Sequence, residues 1–138
     1  MLKTYHGSCH CGAFKYEADI DLSSRFTARC NCTFCSKLRY WGIKVKPEHF
    51  RLLSPPALED IALSEYIIHS PKIHNRFCKH CGIYSFIDGW VPEEGEYVYI
   101  NVACLDLTDE EFKELKVRYV DGRSNTWATL DKEEVSYL

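Results

Sequence analysis

Three thiols fall within six residues in Cys30-Asn31-Cys32-Thr33-Phe34-Cys35. A thiolate is a soft anion well suited to zinc, and catalytic zinc sites commonly take three protein ligands and leave the fourth tetrahedral corner to water or substrate. Cys30, Cys32 and Cys35 therefore read as an open, catalytic metal site, or else as part of a closed one that another Cys or His completes. The remaining thiols bear on that choice.

The chain has eight cysteines. Cys9-His10-Cys11-Gly12 and Cys78-Lys79-His80-Cys81-Gly82 each carry two sulfurs on a short turn, followed by a glycine that lets the turn reverse with positive φ. Read as two halves, they make one four-thiolate site that ties residues near 10 to residues near 80. By analogy with zinc fingers, it would contribute folding energy of roughly 10 kcal/mol or more. With four thiols assigned there and three to the trio, Cys104 is left over. It ends the apolar run Tyr97-Val98-Tyr99-Ile100-Asn101-Val102-Ala103 and reads as an inert core cysteine. Disulfides are the rival reading, but Cys-x-Cys rarely reaches disulfide geometry, whereas two such sulfurs converge on one metal with little strain.

Composition sets the frame for these sites. A chain of 138 residues is expected to form one domain, 1–138, burying about two thirds of the surface its unfolded form exposes. A net charge of −3 argues against a generic binder of polyanions, so nucleic acid is not the expected partner. No apolar run approaches the roughly 18 residues that span a bilayer, and Met1 to Gly7 lacks the apolar core of a secretory signal. The expectation is a cytoplasmic protein without membrane contact.

The elements that must position the thiols read mainly as strands. Lys3 to His6 and Phe14 to Ala18 flank the first cysteine pair, and Ile73 to Phe77 and Ile83 to Ile87 flank the second. Phe26 to Arg29 leads into the trio as a strand, and Ile43 to Lys46 alternates before a turn at Pro47. Ser54-Pro55-Pro56 breaks the chain, and 57–63 gives mixed helical and extended signals. Ser64 to His69 reads as a strand, Ser70-Pro71-Lys72 as a turn and Asp88 to Glu96 as a loop. Thr108-Asp109-Glu110-Glu111 has the form of a capping box opening a short helix; Lys116 to Val120 alternates again, and Trp127 falls in a late apolar patch. The pattern predicts a mainly β protein with one or two short helices.

From Leu22 to Pro47 there is no acidic residue, while Arg25, Arg29, Lys37, Arg39, Lys44 and Lys46 are basic. Three thiolates on one Zn2+ carry a net negative charge, which nearby cations stabilise; those cations are also placed to receive a carboxylate-bearing ligand. Lys44 and Lys46 alternate with apolar residues and read as a solvated face. Lys37 and Arg39, beside the thiols, read as ligand-binding. His10 and His80 fall where side chains point away from a knuckle's metal, and His6, His49, His69 and His74 read as surface or hydrogen-bonded histidines.

With these residues in place, the sequence resembles the glutathione-dependent formaldehyde-activating enzyme family, which includes the centromere protein V domain. The matching segments are Gly7 to Gly12, Cys30 to Lys37, Phe77 to Gly82 and the run through Asn101 and Asp106, within Thr4 to Trp127. The resemblance implies several small coiled antiparallel sheets, a β-tent, pinned by a structural zinc on Cys9, Cys11, Cys78 and Cys81. It also implies a second, catalytic zinc on Cys30, Cys32 and Cys35. The implied activity is that of a carbon-sulfur lyase combining glutathione, or another small thiol, with an aldehyde such as formaldehyde. Two alternatives come from other classes: a non-catalytic module in which both metals are structural, and a methionine sulfoxide reductase of related fold using Cys104 as nucleophile. The trio has no task in the second of these.

Overall fold

The computed structural model describes residues 1–54 and 62–138. The break at Pro55-Pro56 and most of the mixed stretch 57–63 lie outside the described residues. No helix among those described is long and apolar enough to cross a membrane.

The chain is mainly β, as its alternation predicts, and the described strands form two sheets. In the smaller sheet β1 (Lys3–Ser8) and β2 (Lys15–Ile20) make a hairpin with Ser8 opposite Lys15, and β5 (Phe50–Ser54) joins the other side of β2. Period-two patterning sets its faces: Tyr16, Ala18 and Ile20 are buried, while Glu17 and Asp19 turn outward to meet Arg51 at 2.7 and 2.8 Å. The larger sheet has eight strands. It takes in β3 (Phe26–Cys30), β4 (Trp41–Val45), β6 (Leu63–Tyr66), β7 (Ile73–Cys78), β8 (Tyr84–Val91), β9 (Gly95–Asn101), β10 (Lys116–Val120) and β11 (Thr129–Leu130). Their order across the sheet is β11-β10-β3-β4-β9-β8-β7-β6.

Aromatic packing joins the sheets. Phe14 and Tyr16 from the first hairpin region, Phe50 from β5 and Phe86 from β8 stack with centroids 4.9 to 5.3 Å apart, and none of Phe14, Tyr16 and Phe86 is more than 1% exposed. Aromatic pairs at such separations add about 0.5–1.5 kcal/mol each beyond the area they bury.

Three differences from the sequence expectation have local causes. Asp88 to Glu96 is a continuous β8–β9 hairpin, with Val91 opposite Gly95, instead of an open loop. Arg76 on β7 holds Asp88 at 2.6 Å, and Lys72 lies 4.2 Å over the Trp90 ring, so side chains that look loop-like in sequence are tied to their neighbours. The second is the pairing of β10 with β3, which is parallel and sets Val120 against Cys30. The buried Thr27 hydroxyl donates to the Lys116 carbonyl at 2.8 Å and accepts from Trp41 Nε1 at 2.7 Å, which anchors that pairing. The third is a helix over the last residues of the trio, α1 (Thr33–Leu38), where the sequence reads as loop. The predicted capping box is present in full at α2 (Asp109–Glu114): Thr108 Oγ1 accepts from Glu111 N, and the Glu111 carboxylate accepts from Thr108 N at 2.9 Å.

Candidate metal centres

All eight cysteines are free thiols, and seven of them gather in two groups. In the first, the sulfurs of Cys9, Cys11, Cys78 and Cys81 all lie within 4.8 Å of one another. Cys9 Sγ to Cys11 Sγ and Cys11 Sγ to Cys78 Sγ are each 3.6 Å. A tetrahedron with metal–sulfur bonds of about 2.3 Å has sulfurs about 3.8 Å apart, so the donor set fits a metal of that kind. The two turns that deliver these sulfurs are built alike. Gly12 N donates to Cys9 O and Gly82 N to Cys78 O, and both glycines take φ near +78°, at +79° and +77°, where a side chain is strained. Phe14 N donates to Cys9 Sγ at 3.3 Å and His80 N to Cys78 Sγ at 3.4 Å, stabilising thiolate at each. Burial pushes the Cys81 thiol up, but the N–H groups of Cys11 and Ile83 and the thiols of Cys78 and Cys11 outweigh it and bring it to about 6.

The position of this group in the fold is its main property. Cys9 and Cys11 follow β1 of the small sheet, while Cys78 ends β7 of the large one and Cys81 follows it; Cys9 and Cys78 are buried in the hydrophobic core. One bound ion would close a link between two sheets whose ligand pairs lie about seventy residues apart, 67 for Cys11 and Cys78.

The second group joins Cys30, Cys32 and Cys35, again with all sulfurs within 4.8 Å. Cys30 ends β3 and is buried, while Cys32 and Cys35 are partly exposed. Cys32 stands at the N-cap of α1, its sulfur accepting from Cys35 N at 3.3 Å, and its own N–H donates to Cys30 Sγ at 3.4 Å. The trio shares protons unequally. Thiol hydrogen bonds from Cys30 and Cys35 hold Cys32 far below the ordinary thiol range, and the same sharing raises Cys30 and Cys35. Three sulfurs so placed occupy three corners of a tetrahedron, and no His, Asp or Glu among the described residues supplies the fourth.

Around the trio stand residues that spacing did not single out. Asn31, 8% exposed, donates through Nδ2 to Asp121 Oδ1 at 3.1 Å and accepts at Oδ1 from Arg123 N at 2.9 Å. The Asp121 carboxylate is held below the usual range by Ser124 N–H first and by the Asn31 amide, so it fixes the turn 121–128 against the trio. A Cβ at Gly122 would collide with Cys30 Sγ and lie 2.9 Å from Trp127 Cζ3. Trp127 is 59% exposed rather than part of an apolar patch. Ninety residues separate this turn from Cys30, and the only sequence signal for it is the turn-forming run Asp121-Gly122-Arg123-Ser124-Asn125.

Of the cations, Lys37 lies in the last turn of α1, exposed and without a partner among the described residues. Arg39, also exposed, forms the left-handed cap of α1 with φ of +57°, and its guanidinium donates to the Tyr137 carbonyl. Arg29 lies 4.9 Å over the Trp41 ring. Lys44 is exposed and pairs with Glu94 at 2.6 Å, in keeping with the solvated face expected of it. No histidine among the described residues joins either thiol group. Cys104 belongs to neither group; burial pushes its thiol up to about 11, the reverse of what a nucleophilic cysteine needs.

A mainly β fold carrying one four-thiol and one three-thiol cluster defines a protein with two cysteine groups that could each hold a metal ion. The family model of the glutathione-dependent formaldehyde-activating enzyme matches residues 4–122, and the chain belongs to that family. The crystal structure of a Rhodobacter sphaeroides protein, determined as a Northeast Structural Genomics target, is similar at a TM-score of 0.64 and 25% identity, covering 81% of this chain and 98% of that one.

Proposed function

We propose that this chain is a single-domain, zinc-dependent carbon-sulfur lyase of the S-(hydroxymethyl)glutathione synthase type, acting on glutathione or a similar small thiol and an aldehyde such as formaldehyde. The observation that carries the reading is the trio itself: three convergent sulfurs, one buried and two on partly exposed residues, with no fourth ligand among the described residues. Family membership supports the substrate pair.

In this reading Cys9, Cys11, Cys78 and Cys81 hold a structural zinc, and Cys30, Cys32 and Cys35 hold the catalytic one. Zinc at the trio supplies an open coordination site for the thiol sulfur or the aldehyde oxygen. The reaction is an addition: the thiol sulfur bonds to the carbonyl carbon, the carbon-oxygen π bond opens, and the oxygen ends with the proton the thiol gave up. The protein's own part is positioning, because holding thiol and aldehyde together removes the entropy of a bimolecular encounter. Lys37, with no competing partner among the described residues, and Arg39, whose planar fork has donors beyond the one used on Tyr137, receive the carboxylates of glutathione.

The test is adduct formation followed by nuclear magnetic resonance, with metal content measured on the same samples. Cys32→Ser is expected to fall to the uncatalysed rate, lose one zinc of two and keep the wild-type circular dichroism spectrum. An unchanged rate in a folded Cys32→Ser protein overturns the proposal.

A further inference from the structure

Trp127 presents a combination that the proposed chemistry does not yet use. It is a large apolar side chain left 59% exposed, and its backbone sits at φ +59°, a conformation that a bulky residue adopts only under constraint. The constraint is visible. Asp121 O accepts from Trp127 N at 3.0 Å, Asp121 N donates to Ala128 O at 2.9 Å, and the Asp121 carboxylate is fixed to Asn31, inside the Cys30 to Cys35 segment. The strained turn is thus built onto the three-thiol centre and holds the indole there. Ring and sulfur both approach Gly122, whose missing side chain leaves them room: an added Cβ would collide with Cys30 Sγ and lie 2.9 and 3.1 Å from Trp127 Cζ3 and Cη2. An exposed indole held at an unfavourable φ contributes little to packing the core. Such strain gathers at ligand clamps, where the surroundings over-determine it.

We propose that Trp127 is a specificity-determining residue of the three-thiol centre, its exposed indole standing at the Cys30 side of that centre and packing on the carbon skeleton of the thiol-aldehyde adduct. This inference rests on the function proposed above. It assigns a part of the site to residue 127, beyond the 4–122 that the family model matches. A flat, rigid aromatic gives contact area at small entropic cost, and beside a charged metal-thiolate group it also excludes water.

The experiment compares wild type with Trp127→Gly and Trp127→Phe, all loaded with zinc. Glycine adopts φ +59° freely, so it removes the ring without straining the turn; phenylalanine keeps an aromatic ring and guards against a variant that fails to fold. Glutathione with formaldehyde is titrated while indole fluorescence and calorimetric heat are read. Expected results are a fluorescence change in wild type that is lost in both variants, a dissociation constant about tenfold weaker for Trp127→Gly, and one within about threefold of wild type for Trp127→Phe. Metal content is expected to stay at the wild-type value in all three. Wild-type affinity in Trp127→Gly, with wild type itself binding, overturns the role of Trp127 and leaves the proposed function standing. Absence of binding in wild type as well overturns both.

Discussion

Cys9, Cys11, Cys78 and Cys81 come from two turns at the ends of strands of different sheets, whereas Cys30, Cys32 and Cys35 come from one strand end and the first turns of one short helix. The difference teaches what each group is suited to do. Bringing together ligands 67 residues apart closes a long loop, so the energy of binding is spent on holding sheet to sheet. Ligands at most five residues apart close almost no loop, so binding there does little for the fold and is available for a substrate. Burial does not follow the same division: each group has a buried anchor, Cys9 and Cys78 at 2% and 0% exposed in one and Cys30 at 6% in the other, and each has two cysteines that reach toward solvent, Cys11 and Cys81 against Cys32 and Cys35.

The largest expected effect comes from breaking the long-range group. Cys78→Ser is expected to unfold the protein, seen as loss of its circular dichroism signal, because a structural zinc contributes about 10 kcal/mol or more against a total stability of about 5–15 kcal/mol. Cys32→Ser, in contrast, is expected to leave the melting temperature within a few degrees of wild type; equal loss of fold in the two variants would erase the distinction. Acid titration separates the groups without mutation. Thiolates must be deprotonated to bind metal, so affinity is retained at high pH and lost as pH falls. The trio has one ligand fewer, so its zinc is expected to leave at a higher pH than that of the four-thiol group. Two steps in metal release, followed with a colorimetric chelator, would show this.

A smaller effect is expected from Asn31→Ala, which takes one donor from the Asp121 carboxylate, strands Arg123 N–H and removes the tie between trio and turn. Urea unfolding is expected to show a loss of about 1–3 kcal/mol, with catalysis reduced by more than that loss of fold explains. The smallest is Lys37→Ala: the side chain is exposed, so the Michaelis constant for glutathione is expected to rise only about two- to fivefold, with the melting temperature unchanged.

The two groups also differ in how much of them was legible in the sequence. The division of thiols into four and three follows from spacing alone, because Cys-x-Cys and Cys-x-x-Cys are local geometry. The strands beside them follow from alternation, as at Tyr16, Ala18 and Ile20. Helix α1 escaped because a six-residue segment gives no helical period and its cap is a cysteine, outside the usual set of Ser, Thr, Asp and Asn. What stands over the trio escaped for a different reason. Asp121, Gly122 and Trp127 reach it only because β10 lies parallel beside β3, and that pairing is anchored by a buried threonine hydroxyl instead of by any pattern along the chain.

The parallel pairing of β10 with β3 also orders events in time. A ribosome releases the chain from its N-terminal side, so all four sulfurs of the sheet-linking group are out once Cys81 has emerged. Cys30, Cys32 and Cys35 emerge far earlier, but their surroundings wait for residues 116–128. The nascent protein thus gathers the four thiols proposed as its clasp before the proposed working centre is furnished, and a translation product halted near residue 110 would have the first and lack the second.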